Sequence, residues 1–247
     1  MPQAVDSSAL LDACSARALR GMADAALVVV EQAQRWADAG QSALHALIGE
    51  QTPDAWQHYP EGDARDPRSG YRWYYHCHDD RRPNGEHGHF HLFSENAASG
   101  RSAPTLTHLV AIGIDARGLP LRTFTVNRWV TDEVWRDAAQ VLRLLARFRV
   151  EGAGVQGEIG GWLAALTRLF APQIRNIVIE RDAVMAGRAA GGRRPNLRDD
   201  RRLEVISQCR LSLAEQIDAL DGRLSVGRTR SPRKLPATLA HHPECTA

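Results

Sequence analysis

Histidines at every second position constrain the fold of this chain more than any other feature. Five of its histidines lie between residues 76 and 91, within the stretch HCHDDRRPNGEHGHFHLF (76–93). Alternate side chains of a β-strand point to the same face of a sheet. The segment between the two groups contains Pro, Asn and Gly, which are typical of turns. The sequence therefore predicts a β-hairpin over residues 71–93, with the histidines of each strand on one face.

The pairing of the two strands depends on where the turn is centred. A turn centred on Arg82-Pro83 would pair His76 with His89, whereas a turn centred two residues later would pair His78 with His91. Both registers place all five histidines on one face, and a slip of one residue would separate the two groups. Imidazoles packed on one face repel one another as they become charged, so some of their pKa values should fall below the usual value of about 6.5.

The histidine face predicts a metal site. Directly paired Cβ atoms lie roughly 4.5–5.5 Å apart, close enough for two imidazoles to bind one ion at about 2.0–2.1 Å per nitrogen. Cys77 should point to the opposite face, so the ligands would be nitrogen with optional oxygen, as in centres of iron, zinc or copper. The sequence does not distinguish among these metals. We expect one or two ligands from each strand, drawn from His76, His78, His87, His89 and His91.

Further residues near this face are candidates for catalysis or substrate binding. Glu86 would either bind the ion or orient one imidazole. On a later strand, His108 is either a further ligand or a core-edge histidine that bonds to backbone. Asn127 and Arg128 would either orient an anionic substrate or cap the junction between strand and helix. The predicted catalytic residues are His89, His91, Glu86 and Tyr74.

Two resemblances to known families accompany the hairpin. HGHFHLF (87–93) resembles the histidine-triad motif of nucleotide hydrolases and transferases, which implies that His89 would attack an α-phosphorus with His87 and His91 in support. The blocks YRWYYHCH, EHGHFHLF and THLVAIGIDARGLPLRTFTVNRWVTDEVW together resemble an uncharacterised bacterial domain-of-unknown-function family, over about residues 55–150. The second resemblance implies no activity.

The pattern of the whole chain predicts an α+β fold: a small antiparallel β-meander of about four strands, flanked by N-terminal and C-terminal helices. The predicted strands are 71–78, 87–93, 107–115 and 121–130, which together form a sheet over 71–130. The Pro- and Gly-rich segment 51–70 is predicted to be a loop.

Helical periodicity covers residues 8–37, followed by a short helix capped by Ser42. The C-terminal helices are predicted over 131–221, beginning at an N-cap on Thr131. We expect a single domain over 1–221 and a disordered tail over 222–247.

Charge and hydropathy narrow the partners that we expect. The formal net charge is only +2, so no overall field favours nucleic acid. No run reaches the roughly 18 apolar residues of a membrane span, and no hydrophobic signal segment is present. We therefore expect a cytoplasmic protein with a small-molecule substrate. The last predicted helix carries apolar residues through which two copies could form a homodimer: Leu203, Ile206, Leu213, Ile217 and Leu220.

The leading functional hypothesis is a metal-dependent enzyme that performs redox or hydrolytic chemistry on a small molecule at the hairpin. Two alternatives stay open from the sequence. One is a metal-independent nucleotide hydrolase or transferase of the histidine-triad kind. The other is a non-catalytic sensor that binds a metal or haem.

Overall fold

A computed structural model describes residues 7–78, 85–96, 104–190 and 196–229 of the chain. The structure is α+β, as predicted, and its described part contains one six-stranded antiparallel sheet. The predicted meander of four strands is the centre of this sheet, which has one further strand at each edge. The strands lie side by side in chain order: β1 Tyr59–Asp66, β2 Tyr71–His76, β3 Gly88–Asn96, β4 Thr105–Ile114, β5 Pro120–Val126 and β6 Val205–Arg210.

The helices of the described residues precede and follow the central strands. The predicted helix over 8–37 is two helices in the structure, because the helical conformation is interrupted at residues 13–15. Ser15 caps the second helix, since its side chain accepts a hydrogen bond from the Ala18 backbone N–H. Ser42 caps the third helix, as predicted. The helices are α1 Ser7–Asp12, α2 Ala16–Asp38, α3 Ala43–Ile48, α4 Arg128–Thr131, α5 Ala138–Leu145, α6 Gly154–Leu169, α7 Ala171–Ala190 and α8 Leu213–Thr229.

The junction after β5 differs from the prediction. Thr131 does not begin a helix but ends α4, a single turn that Asn127 caps. Asp132 then takes a left-handed φ of 48°, and α5 begins only after Asp137. The Asp137 carboxylate accepts a hydrogen bond from the Gln140 backbone N–H, in a reciprocal capping box. The acidic residues after Thr131 imitate a helix start in the sequence, but Asp137 supplies the cap.

Strand β1 lies in the segment that the sequence predicts to be a loop. Its pairing with β2 is interrupted between Tyr59 and Ala64. Gly62 and Asp63, within this interruption, both have positive φ angles, of 76° and 61°. Pro, Gly and Asp in succession are loop signals in a sequence, yet an edge strand tolerates them at a bulge. Pairing with β2 therefore outweighs the local preference of these residues.

Strand β6 lies where the sequence predicts part of the last helix. Leu203 and Ile206 have helical spacing with later apolar residues, but the segment pairs with β5 and places Val205 opposite Val126. The final helix is α8, which continues to Thr229, past the predicted domain boundary at residue 221. Residues 230–247 of the predicted tail lie outside the described part of the chain, so the division into one domain and a tail stays a prediction.

Helix α8 packs against the rest of this chain. Leu220 is buried, and Leu213 and Ile217 pack against the main core. Gln216 is buried as well, and it accepts a hydrogen bond from the Gln173 amide at 2.7 Å. The apolar residues of α8 on which the predicted homodimer depends therefore have contacts within the chain, and the homodimer stays a prediction.

The two faces of the sheet have different surroundings. One face packs on the helices, where Trp73, Phe90 and Ile112 share a core with Trp162 and Leu163 of α6. Burial of such large apolar side chains is the main favourable term in folding. Because side chains alternate along a strand, Tyr74, His76, His89 and His91 point to the opposite face. None of the helices in the described ranges combines the length and apolar character that a bilayer crossing needs.

Candidate metal centre

The pairing of β2 with β3 selects one of the two predicted registers. His76 is opposite His89, and Tyr74 is opposite His91. This is the register expected for a turn centred on residues 82 and 83. The turn itself, residues 79–84, lies outside the described residues. Because paired residues of neighbouring strands share a face, this register brings histidines of both strands together.

Three buried histidines converge at the centre of this face. His76, His89 and His91 each offer one nitrogen to a group in which all three atoms lie within 4.8 Å of one another. The Nε2 atoms of His76 and His89 are 2.7 Å apart. All three side chains are buried. These histidines could therefore hold one metal ion, as the sequence predicts.

Glu86 orients His89 from behind. Its Oε1 accepts a hydrogen bond from His89 Nδ1 at 2.9 Å, so Nε2 is the nitrogen of His89 that faces the cluster. Arg122 of β5 donates to both carboxylate oxygens of Glu86, and Arg122 is itself held by the Gln208 amide oxygen at 3.0 Å. Burial would raise the pKa of Glu86, but the hydrogen bonds from His89 and Arg122 outweigh burial and lower it. The hydrogen bond to His89 fits the second of its two predicted roles, orientation of an imidazole, and the role itself stays a prediction.

Gly113 of β4 makes room for the Glu86 carboxylate. It lies opposite His89 on one side and Arg122 on the other, on the histidine face. A Cβ atom at position 113 would lie 2.8 Å from Cδ of Glu86 and 3.1 Å from Cγ of Arg122. The first distance is shorter than real side chains allow. The ion pair between Glu86 and Arg122 therefore occupies space that only a glycine leaves free.

His108 of β4 orients His91 in a similar way. Nδ1 of His91 and Nε2 of His108 are 3.0 Å apart, so Nε2 of His91 is the nitrogen left for the cluster. The backbone N–H of His108 donates to Oε2 of Glu133 at 2.6 Å. His108 thus supports a candidate ligand through its side chain. This role differs from both roles expected from its sequence position.

Burial keeps the imidazoles of His76, His91 and His108 neutral. Desolvation lowers the pKa of His76 to about 2 and that of His91 well below its usual value, with neighbouring histidines adding to the effect. Burial also lowers the pKa of His108 to about 3. The sequence predicts lowered pKa values from mutual repulsion, but burial is the larger cause. A neutral imidazole is the form that binds metal ions.

His78 lies beside the three converging histidines. Its ring centre is 5.0 Å from that of His76 and 5.1 Å from that of His89. The ring stacks on Trp56 with a centroid distance of 4.1 Å. Nε2 of His78 is buried, and no hydrogen-bond partner for it exists among the described residues. A buried polar atom without a partner costs about 1–3 kcal/mol, so this nitrogen marks a place where a bound group would be stabilising.

His87 is held apart from the cluster. Its Nδ1 atom is 2.6 Å from the hydroxyl group of Tyr75, whose ring belongs to the core on the helical side of the sheet. A Cβ atom at Gly88 would lie 2.6 Å from Cζ of Tyr75, so the glycine is what allows this phenol to approach His87. Of the five predicted ligands, three converge, His78 lies adjacent to them, and His87 bonds to Tyr75.

A cavity of about 930 Å³ opens over the histidine face. This volume is typical of sites for small molecules, which occupy roughly 300–1,000 Å³. Tyr74, a predicted catalytic residue, lines the cavity and stacks on His58 at 3.6 Å. Burial raises the pKa of Tyr74, so its phenol stays neutral. The apolar part of the lining includes Trp56, Phe124, Val126, Trp129, Val130, Leu203 and Val205.

The two predicted substrate residues after β5 lie elsewhere. Asn127 caps α4, and Arg128 forms an ion pair with Asp199. Neither residue lines the cavity. The structure therefore favours the capping role for this pair over the substrate role. Cys77 is buried and also lies outside the cavity lining, in line with the prediction that it points away from the histidines.

Sequence reasoning missed several residues of the site, among them Trp56, His58 and Arg122. Trp56 and His58 line the cavity from the segment before β1, which carries no periodic signal. Arg122 lies on a predicted strand two residues before Phe124, so alternation alone would place both on one face. Its contact with Glu86 depends on the register across three strands, and a single sequence does not fix that register.

Comparison with known proteins identifies a family whose function is unknown. The model of a family described as a domain of unknown function (DUF6969) matches residues 23–211. The match includes all six strands and every residue of the histidine face. No curated protein and no solved structure matches the chain.

Proposed function

The chain belongs to the family of domains of unknown function DUF6969, and we propose that it is a metal-dependent enzyme. In this proposal His76, His89 and His91 hold one divalent transition ion. The adjoining cavity binds a small-molecule substrate beside the ion. Imidazole ligands suit iron, zinc and copper, and the proposal covers these three metals.

The observation that carries the proposal is the convergence of three buried imidazoles, two of which already have partners for their outer nitrogens. Glu86 holds Nδ1 of His89, and His108 holds Nδ1 of His91. Only one hydrogen can lie between the Nε2 atoms of His76 and His89, which are 2.7 Å apart. A cation among the three rings would satisfy every inward nitrogen at once. Carboxylate and imidazole partners of this kind are typical of metal-bound histidines.

His78 lies next to the fourth position of the ion in this proposal, which stays open to water or substrate. Imidazoles that bind one ion at about 2.0–2.1 Å per nitrogen have ring centres roughly 5 Å apart. The centre of the His78 ring lies 5.0 and 5.1 Å from those of His76 and His89. Its buried Nε2 has no partner among the described residues, and a water or substrate atom bound at the open position would provide one.

The cavity favours catalysis over storage of the ion. Catalytic metal sites keep a position open to water or substrate, whereas structural sites are closed by protein ligands. Here His76, His89 and His91 themselves line a cavity large enough for a small molecule. The ion would supply Lewis-acid activation of water or a centre for O₂ chemistry. The chain supplies the orientation of the imidazoles and an apolar wall that limits access of water.

The two alternative functions gain no specific support from the geometry. A histidine-triad nucleophile needs a free nitrogen on His89, but its two nitrogens lie within hydrogen-bonding distance of His76 and Glu86. The sensor hypothesis needs an element whose conformation changes when the site is occupied, and no specific observation in the described residues points to such an element.

Metal analysis tests the proposal. The full chain, purified without a polyhistidine tag and reconstituted with Fe(II), Zn(II) or Cu(II), should hold about one equivalent of ion. His89→Ala should reduce this to less than about a tenth of an equivalent, because it removes the ligand that Glu86 orients. His45→Ala is the matched control, since His45 lies on α3 and not in the cluster. Equal metal content in both variants, or no bound metal in the unmodified chain, would contradict the proposal.

A further inference from the structure

The cavity has an apolar wall next to the histidine cluster. Phe124 and Val126 of β5 belong to a small core of their own with Val130 of α4 and Val205 of β6, and all four line the cavity. Trp129 lines it as well, with its indole N–H bonded to the Leu203 carbonyl at 3.0 Å. This wall can bury an apolar group of a ligand, and burial of a ring-sized group is strongly favourable.

A polar residue outside the cluster, His58, also faces the cavity, and Asp63 contacts it. His58 lines the cavity, and its Nδ1 lies 3.0 Å from Oδ1 of Asp63. Since a carboxylate only accepts hydrogen bonds, Nδ1 carries the hydrogen of this contact, and in the neutral tautomer Nε2 then carries the lone pair. No partner of Nε2 exists among the described residues. With Nδ1 engaged, the ring offers a ligand one hydrogen-bond acceptor.

Several contacts hold this pair in place. The His58 ring stacks on Tyr74 with centroids 3.6 Å apart, and Oδ2 of Asp63 accepts a hydrogen bond from Arg72 at 2.5 Å. Asp63 has a left-handed φ of 61° at the irregularity in β1 that follows Gly62. Non-glycine residues in this region of backbone space cluster at functional sites, and bulges often re-aim a side chain there. The backbone of β1 is therefore shaped to place a carboxylate behind His58.

We propose that the cavity binds a small molecule with an apolar, ring-sized body and a polar end whose hydroxyl or N–H group donates a hydrogen bond to His58. The inference rests on the proposed metal function and specifies the substrate class of the same site. The apolar body lies against the wall that Phe124 and Val126 form. The polar end lies at the histidine cluster, since the ring centres of His58 and His76 are 5.9 Å apart. Asp63 is a positioning residue that fixes which nitrogen of His58 accepts.

Three probes separate the parts of this inference. Benzohydroxamate has a ring and a hydrogen-bond donor at its metal-binding end, acetohydroxamate has the donor without the ring, and benzoate has the ring without the donor. Their affinities for the zinc-loaded full chain are measured by calorimetry. Benzohydroxamate should bind roughly tenfold or more tightly than acetohydroxamate, because only its ring uses the apolar wall.

The variant His58→Phe then tests the hydrogen bond. Phenylalanine keeps a ring to stack on Tyr74 but offers no acceptor. Affinity for both hydroxamates should fall roughly tenfold, while affinity for benzoate changes less than about twofold. His45→Phe, on α3 outside the cavity lining, should leave all three affinities unchanged.

Each contrary result has a distinct meaning. Equal binding of the two hydroxamates would overturn the apolar part of the inference. An equal effect of His58→Phe on benzoate and the hydroxamates would overturn the role of His58. Zinc content is measured on every sample, so loss of zinc in the unmodified chain would identify a failure of the proposed function, and the inference would fail with it.

Discussion

Glu86 determines how one imidazole of the cluster is presented, although it need not touch an ion. It receives His89 Nδ1 on one oxygen and Arg122 on both, and these contacts lower its pKa despite burial. A charged acceptor behind a histidine raises the basicity of the ligand and fixes the orientation of the ring. The candidate metal site therefore depends on Glu86 and Arg122, although neither residue is a proposed ligand of the ion.

Replacement of Glu86 by glutamine should weaken metal binding without removing a ligand. Glutamine keeps the length of the side chain but loses the charge that holds His89 and Arg122. We expect the metal affinity to fall roughly 10–100-fold, measured by competition with a chelator. Glu95→Gln is the matched control, because Glu95 pairs with Arg65 at the far end of β3. The same affinity in both variants would show that Glu86 does not support a bound ion.

Gly113→Ala should have a similar effect by a different route. The new Cβ atom would have to displace the Glu86 carboxylate, whose Cδ lies 2.8 Å from its position. We expect a loss of about 1–3 kcal/mol in the free energy of unfolding, together with weaker metal binding. Gly161→Ala on α6 is the control, since a Cβ atom there meets nothing within 4 Å. Chemical denaturation and chelator competition check the two effects. Unchanged metal affinity in Gly113→Ala would contradict the account of this contact.

At the scale of elements, the hairpin was predictable and the edges of the sheet were not. Alternating histidines fix a strand period of two on both sides of a turn, so β2 and β3 follow from the sequence. The choice between two registers did not follow, because both place the histidines on one face. β1 and β6 were missed because their pairing with neighbouring strands overrides the local sequence signals. In β1 a bulge that contains glycine looks like a loop in the sequence, and near β6 the spacing of Leu203 and Ile206 looks helical.

The observed register makes a prediction about two histidines of the hairpin. His76 lies opposite His89 within the cluster, whereas His87 precedes β3 and bonds to Tyr75. His76→Ala should therefore reduce bound metal to less than about a tenth of an equivalent, and His87→Ala should retain about one equivalent. Elemental analysis of the two variants decides this. A greater loss in His87→Ala than in His76→Ala would indicate a different pairing of the strands.

At the scale of the whole molecule, one face of the sheet is used for stability and the other for the site. The α+β class followed from the order of helical and strand patterns, and the structure agrees. The sequence could not provide the spatial assembly of the site, because Arg122 comes from β5 and Trp56 and His58 come from the segment before β1. Their assembly depends on packing across the sheet, and periodicity along one segment carries no information about it.

The buried imidazoles make the stability of the metal-free protein depend on pH. The folded-state pKa values of His76, His91 and His108 lie below the usual value of about 6.5, so below that pH the unfolded chain binds more protons than the folded chain. Each of these three histidines then lowers stability by about 1.4 kcal/mol per pH unit as the pH falls. Burial raises the pKa of Glu133 to about 8, and its contribution has the opposite sign between about pH 4.5 and 8.

The net effect should be a less stable protein at pH 5 than at pH 7, because three histidines outweigh one carboxyl group in this range. Urea unfolding of the metal-free chain, followed by circular dichroism, measures the difference. His108→Gln should reduce the pH dependence by removing one of the three contributions. Equal or greater stability at pH 5 would show that these imidazoles are not buried in neutral form.

X-ray absorption spectroscopy of the metal-loaded full chain tests the central claim most directly, because it reports the atoms bound to the ion. The account predicts three or four nitrogen neighbours at about 2.0–2.1 Å, with the outer-shell scattering that identifies imidazole rings. His89→Ala, loaded with the same ion, should lose this signature. A sulfur neighbour at about 2.3 Å, or an oxygen shell without imidazole scattering, would contradict an ion held by His76, His89 and His91.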